Sequence, residues 1–103
     1  MDYKGTEVRP VFSNYVGNGN LALQLVEEGG IPYGVVTVNL VNETIEENQG
    51  FIDTNNFGGY YIVKWLEKNG FGEDTGLMGT SGFCTYPLFE FKKEVIEKYK
   101  VNK

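Results

Sequence analysis

The 103-residue chain contains no histidine and a single cysteine, Cys84. Without imidazole it lacks the commonest general base, the commonest metal ligand, and the serine and cysteine triads built on histidine. One cysteine excludes an internal disulfide framework and a cysteine-rich zinc site. As a nucleophile Cys84 has no histidine to activate it, so it reads as a small core residue or a lone thiol. No apolar run approaches the ~18 residues of a membrane-spanning helix. Met1-Asp2-Tyr3-Lys4-Gly5 lacks the apolar core of a signal peptide, which points to the cytoplasm.

Positive charge is scarce too. Nine Lys and Arg stand against fourteen Asp and Glu, a net charge of −5. No basic residue lies between Arg9 and Lys64, whereas Glu27, Glu28, Glu43, Glu46, Glu47 and Asp53 fall there. Five lysines gather in the last twelve residues, at 92, 93, 98, 100 and 103. An acidic surface of this kind repels phosphate backbones and attracts a basic partner, or simply keeps a mildly acidic domain soluble. Direct nucleic-acid binding and a membrane role are therefore not expected.

What is present is ordinary globular composition, 41% apolar and 22% charged, in a length that suits one domain. Residues 1–5 read as a frayed terminus, 6–91 as the core and 92–103 as a basic helical tail. Glu7–Val16 reads as a strand; Pro10, which has no N–H for a ladder, places it at an edge or makes it begin near residue 10. Gly17-Asn18-Gly19-Asn20 is a tight turn. Leu21–Val26 follows, with Leu21, Leu23 and Leu25 on one face. After the turn Glu27–Pro32 comes Tyr33–Val41, the most strand-like run. Its Val36, Val38 and Leu40 face one way; Val35, Thr37, Asn39 and Val41 face the other. Together these segments suggest an antiparallel meander.

Asn42–Gly50 is polar and acidic and reads as a loop, followed by a brief pairing at Phe51-Ile52. Thr54-Asn55-Asn56 offers N-caps for a helix over 58–69 with Tyr61, Ile62, Trp65 and Leu66 as its apolar stripe. Gly70 suits the left-handed position after that helix, with Phe71 packing back. Gly72–Gly82, with four glycines in eleven residues, reads as a loop. Phe83–Phe91 is a last strand, with Phe83, Thr85, Phe89 and Phe91 on one side and Pro87 marking an edge or a bulge. Lys92–Val101 reads as a short helix docking through Val95, Ile96 and Tyr99. The expected class is α+β: one antiparallel sheet of four to five strands, beginning with the meander, one central helix packed on it, and a short C-terminal helix.

The run Asn18-Gly19-Asn20-Leu21-Ala22-Leu23-Gln24-Leu25, with Pro32-Tyr33, Thr37-Val38-Asn39-Leu40 and Glu46-Glu47-Asn48 downstream, resembles a family of small bacterial and phage proteins. The family is catalogued as a domain of unknown function, number 4313. The resemblance continues through Asp74-Thr75-Gly76 and Ser81-Gly82-Phe83 and covers roughly residues 16–91, which leaves the tail from Lys92 as an extension. It implies residence on prophages, conjugative elements and plasmids of bacteria. It carries over no catalytic residue and no cofactor.

Three constellations could carry function. Asn18, Asn20 and Asn39 could form a polar recognition edge, or simply turn and strand positions. The Gly72–Gly82 segment could bind an anion, serve as a mobile contact loop with Leu77 and Met78 as anchors, or be an ordinary connector. It lacks a P-loop lysine, and Glu73 and Asp74 oppose a phosphate. Glu43, Glu46, Glu47 and Asp53 lack calcium-loop spacing and read as a solvated acidic loop or as a mimic of a phosphate row. The dense aromatics of the second half, Tyr60 to Phe91, read as core rather than as a base-stacking platform.

The expectation is a non-enzymatic, protein-binding inhibitor of the anti-CRISPR kind, needing no cofactor or metal and acting as a monomer or homodimer. Its acidic face, formed by Glu27, Glu28, Glu43, Glu46, Glu47 and Asp53 with Leu77 and Met78, would dock a basic groove of a defence nuclease. The alternatives are a module sequestering a signalling nucleotide at the glycine-rich segment, or an accessory subunit.

Overall fold

The computed structural model describes residues 1–101, and the α+β class holds with antiparallel pairing throughout the named strands. The strands are β1 (Asp2–Tyr3), β2 (Thr6–Asn14), β3 (Leu21–Glu27), β4 (Pro32–Val35), β5 (Thr37–Val38), β6 (Gln49–Ile52), β7 (Gly72–Ser81) and β8 (Cys84–Phe91). The helices are α1 (Tyr61–Lys68) and α2 (Lys93–Lys98). No helix among the described residues is long and apolar enough to cross a membrane.

Instead of one sheet there are two, each of four strands, in the orders β1-β2-β3-β4 and β5-β6-β8-β7. The expected strand 33–41 divides between them at Val36. Its N–H donates to Leu23 O of the first sheet at 2.8 Å, and its carbonyl accepts from Asp53 N beside the second at 2.7 Å. A chain that turns this corner cannot keep a strict two-residue alternation. Val36 and Thr37 are consecutive and both buried. Thr37 Oγ1 compensates by accepting from Leu23 N at 3.1 Å.

Residues 1–5 are not frayed. Tyr3 pairs with Thr6 and is only 2% exposed, with its ring set edge-on against Tyr33, Phe57, Tyr61 and Trp65. The β2 strand is not an edge strand, since it lies between β1 and β3, but Pro10 sits on its outer side between the pairings made by β1 and by the tail. Val8 N donates to Met1 O and Phe12 N to Tyr99 O, so the position between them is the one where a missing N–H loses no ladder bond. The basic tail docks: Tyr99 stacks on Phe71 with planes 3° apart, and Phe12 bridges Lys100 in parallel. The helical part is Lys93–Lys98, shorter than the expected 92–101. Lys103 and Asn102 lie outside the described residues.

The α1 helix starts at Tyr61, not at 58, because Gly58 and Gly59 take φ of +74° and +107°, which a right-handed helix excludes. Thr54, Asn55 and Asn56 cap nothing there. Its end matches expectation: Gly70 N bonds Glu67 O and Phe71 N bonds Leu66 O, a Schellman motif with φ +78° at Gly70.

The principal core lies among both sheets and α1, with Phe12, Leu23, Leu25, Val36, Ile52, Ile62, Leu66, Phe71, Phe89 and Phe91 at its centre. A second cluster, Leu40, Phe51, Tyr86 and Leu88, packs on the outer face of the second sheet with Val38, Ile45 and Cys84. The β8 strand is thus apolar on both faces. Phe83, expected on its inner face, is fully exposed in the two-residue turn Gly82-Phe83 of the β7–β8 hairpin, where Gly82 takes φ +62°.

The glycine-rich segment is therefore a strand, not a loop. Pro87 sits inside the sheet, and the bulge reading of it holds. The β7–β8 register shifts between Asp74 and Met78, and Pro87 faces Met78 where pairing resumes.

Candidate functional site

The acidic segment after β5 covers the outer cluster of the second sheet. Ile45, its one apolar residue between Asn42 and Gly50, packs there with Leu40. Turn bonds from Glu43 N to Leu40 O and from Gln49 N to Glu46 O shape it. Gln49 then links two strands of charge. Its Oε1 accepts from Glu46 N at 3.0 Å, and its Nε2 donates to Glu90 Oε1 at 3.3 Å. Glu90 stands directly opposite Glu73 across the β7–β8 ladder. The result is an acidic rim running Glu46, Glu90, Glu73 beside an apolar face.

Glu73 and Glu90 are both exposed and take part in none of the ion pairs among the described residues. Directly opposed like charges weaken a sheet by about 0.2–1 kcal/mol. Glu47 is neutralised in part, since Lys93 Nζ lies 3.6 Å from its Oε1. That pair is solvent-exposed and contributes little to stability.

The expected acidic face does not assemble as a whole. Glu47 shares a surface depression with Leu21, at the start of β3. Glu27 ends that strand and Glu28 opens the turn beyond it, about 20 Å along the strand. Asp53 is not a surface carboxylate: it is buried, and its two oxygens accept from Asn56 N at 3.2 Å and Asn56 Nδ2 at 2.6 Å. Glu43 and Glu46 remain exposed in the covering segment.

Leu77 and Met78 are 63% and 50% exposed on the bulge of β7. The arch is self-supporting. Gly76 N donates to Asp74 Oδ1, Leu77 N to Thr75 Oγ1, and Thr75 Oγ1 to Leu88 O. The Tyr60 hydroxyl donates toward Met78 Sδ at 3.7 Å. Burial, and then the Asp74 carboxylate, hold that hydroxyl above the ordinary tyrosine range. Among the described residues, the outer edge of β7 carries no further strand.

Asn18, Asn20 and Asn39 meet. Asn39 Oδ1 accepts from Asn18 Nδ2 and Asn20 Nδ2, and Asn39 Nδ2 donates to Asn18 Oδ1. These amides bond one another, clasping the β2–β3 turn to the chain after β5. Cys84 Sγ accepts from Asn55 Nδ2 at 3.0 Å. Glu73 and Glu90 escape a reading of the sequence because a loop over 72–82 has no ladder to set them opposite each other. The alternation Tyr86, Leu88, Glu90 is the signal that places Glu90 on the outer face.

A family model described as a domain of unknown function (DUF4313) matches residues 11–103. The lysine-rich tail therefore lies within the family and is not an extension. No curated protein and no solved structure matches the chain.

Proposed function

The chain belongs to the DUF4313 family, and from that starting point we propose that it is a non-enzymatic, protein-binding inhibitor that docks a basic groove through the outer face of its second sheet. The observation that carries this reading is the opposed, unpaired Glu73 and Glu90, tied through Gln49 to Glu46. A fold that keeps two like charges face to face on an exposed ladder gives up stability there, and a cationic partner recovers it. The exposed Leu77 and Met78, with Tyr60, supply an apolar anchor on the neighbouring arch. With the bacterial and phage setting that the family resemblance implies, this face suits a nucleic-acid-binding groove of a defence nuclease, as in anti-CRISPR action. Glu27 and Glu28 have no part in it.

The test is capture of bacterial defence nucleases by the tagged chain at low and high salt, beside the variants Glu73→Lys/Glu90→Lys and Glu27→Lys/Glu28→Lys. The reading expects retention at low salt, release at high salt, and loss for the first pair alone. Equal retention by both folded double variants would overturn the assignment of the face.

A further inference from the structure

A second feature, independent of the acidic rim, is an open cleft of about 590 Å³ between β1, β4 and the chain before α1. Tyr3, Lys4, Tyr33, Asp53, Asn56 and Phe57 line it. Its size falls in the range of small-molecule sites. Four observations set it apart from an ordinary surface hollow.

First, its rings are fixed. Tyr33 and Phe57 each meet Tyr3 edge-on, with centroids 5.8 Å away. Phe57 rests on Gly34, where an added Cβ would stand 3.0 Å from Cζ. Second, Lys4 is the sole non-glycine residue among those described with positive φ, at +48°. Lys4-Gly5 is the two-residue turn of the β1–β2 hairpin, whose geometry calls for positive φ at both positions, and Gly5 takes +91°. It holds the ammonium 4.7 Å from the Tyr61 ring centroid. Third, that ammonium has no carboxylate partner among the described residues, in a chain of net charge −5. Fourth, the Tyr3 hydroxyl is buried with no hydrogen-bond partner, an exception that native folds rarely keep.

The polar groups are complementary in kind. Lys4 offers a cation at the mouth. Asp53 offers a carboxylate whose two oxygens each hold one bond from Asn56, which leaves a lone pair free on each. An acceptor-only carboxylate beside aromatic rings selects a planar ligand with two adjacent N–H donors on one edge; guanine presents such a pair, N1–H and N2–H2, where adenine presents a single donor group, N6–H2, beside an acceptor that a carboxylate repels.

We propose that this cleft binds a guanine mononucleotide, with its phosphate at Lys4, its base against the rings of Tyr33 and Phe57, and its N–H edge on Asp53. This cleft is distinct from the glycine-rich segment, which is a β-strand.

Trp65 lies 5.2 Å from Tyr3, centroid to centroid, and is the one tryptophan of the chain, so its fluorescence reports the cleft. The experiment titrates the full chain with GMP, AMP and inorganic phosphate, following Trp65 emission and Tm. The expected result is a saturable response to GMP, with AMP and phosphate weaker by about 10-fold or more. Lys4→Gln, on an exposed side chain, weakens GMP by about 10-fold or more while Tm without ligand stays unchanged. Asp53→Asn removes the preference for GMP over AMP. No saturable GMP response, equal binding of AMP, equal binding of phosphate, or unchanged GMP affinity in Lys4→Gln would each overturn the proposal.

Discussion

The indole N–H of Trp65 donates to the carbonyl of Asp2 at 2.7 Å, joining residues 63 apart in the chain. This bond places β1 against α1 and turns the first residues into core. Trp65 and Tyr3 are both buried, while the bond itself, made to the exposed residue Asp2, is partly buried.

Two substitutions follow from that contact. Tyr3→Ala removes a buried ring that touches four others and is expected to cost about 3–5 kcal/mol. Trp65→Phe leaves the Asp2 carbonyl without its donor and costs about 1–3 kcal/mol. Urea denaturation followed by near-UV circular dichroism measures both. A Tyr3→Ala midpoint equal to that of Val16→Ala, on a fully exposed side chain, would show that β1 contributes nothing.

The meander, α1 with its Schellman end, and the docking residues Val95, Ile96 and Tyr99 were legible because each rests on local periodicity or a single terminating glycine. Three features were not. The corner at Val36 was hidden because a run of β-branched residues looks the same whether it stays in one sheet or crosses between two. Tyr3 was hidden because its burial depends on Trp65 far along the chain. The β7 strand was hidden because its glycines are turn formers by composition, while two of them serve close approach within a sheet. The acidic rim inherits that last failure: Glu46 was legible, but Glu73 and Glu90 become neighbours only once β7 is a strand.

Gly79 makes the point testable. A Cβ there would stand 2.5 Å from Phe51 Cε1 and 2.8 Å from Leu40 Cδ1. Gly79→Ala is therefore expected to push apart the outer cluster and destabilise by about 1–3 kcal/mol. Gly72→Ala is worse, since its Cβ would meet the Glu90 carbonyl oxygen at 1.9 Å and its φ is +152°. Gly76, on the arch, has nothing within 4 Å, but its φ of +84° still favours glycine. The expected order of thermal stability is Gly76→Ala above Gly79→Ala above Gly72→Ala. A loop over 72–82 would instead give three similar values.

Asn39 holds the clasp between the β2–β3 turn and the chain after β5. Asn39→Ala removes its bonds to Asn18 and Asn20 at once and is expected to cost about 1–2 kcal/mol. Asn39→Asp keeps the acceptor for both amides but loses the donor to Asn18, so its loss is smaller. Denaturant midpoints at neutral pH check the order. Equal losses would show that the accepted bonds do not hold the clasp.

The Tyr3 hydroxyl gives a prediction in pH. Burial, followed by the nearby Tyr33 and Tyr61 phenols, raises it above the ordinary tyrosine value. The folded protein therefore resists the phenolate more than the unfolded chain does. The sign follows: the neutral form's contribution is whole below about pH 10, the unfolded value, and is lost as pH rises through the folded value. Tyr60 and Tyr86 shift in the same direction, each with burial as the leading cause. Stability is thus expected to fall above about pH 10. Tyr3→Phe keeps the ring and removes a hydroxyl that has no partner. At neutral pH it should leave stability unchanged or raise it by about 1 kcal/mol, and its alkaline fall should be shallower. Denaturation midpoints of both proteins between pH 7 and pH 11 measure the difference. A loss of more than about 1 kcal/mol at pH 7 in Tyr3→Phe would mean that the hydroxyl is bonded in solution.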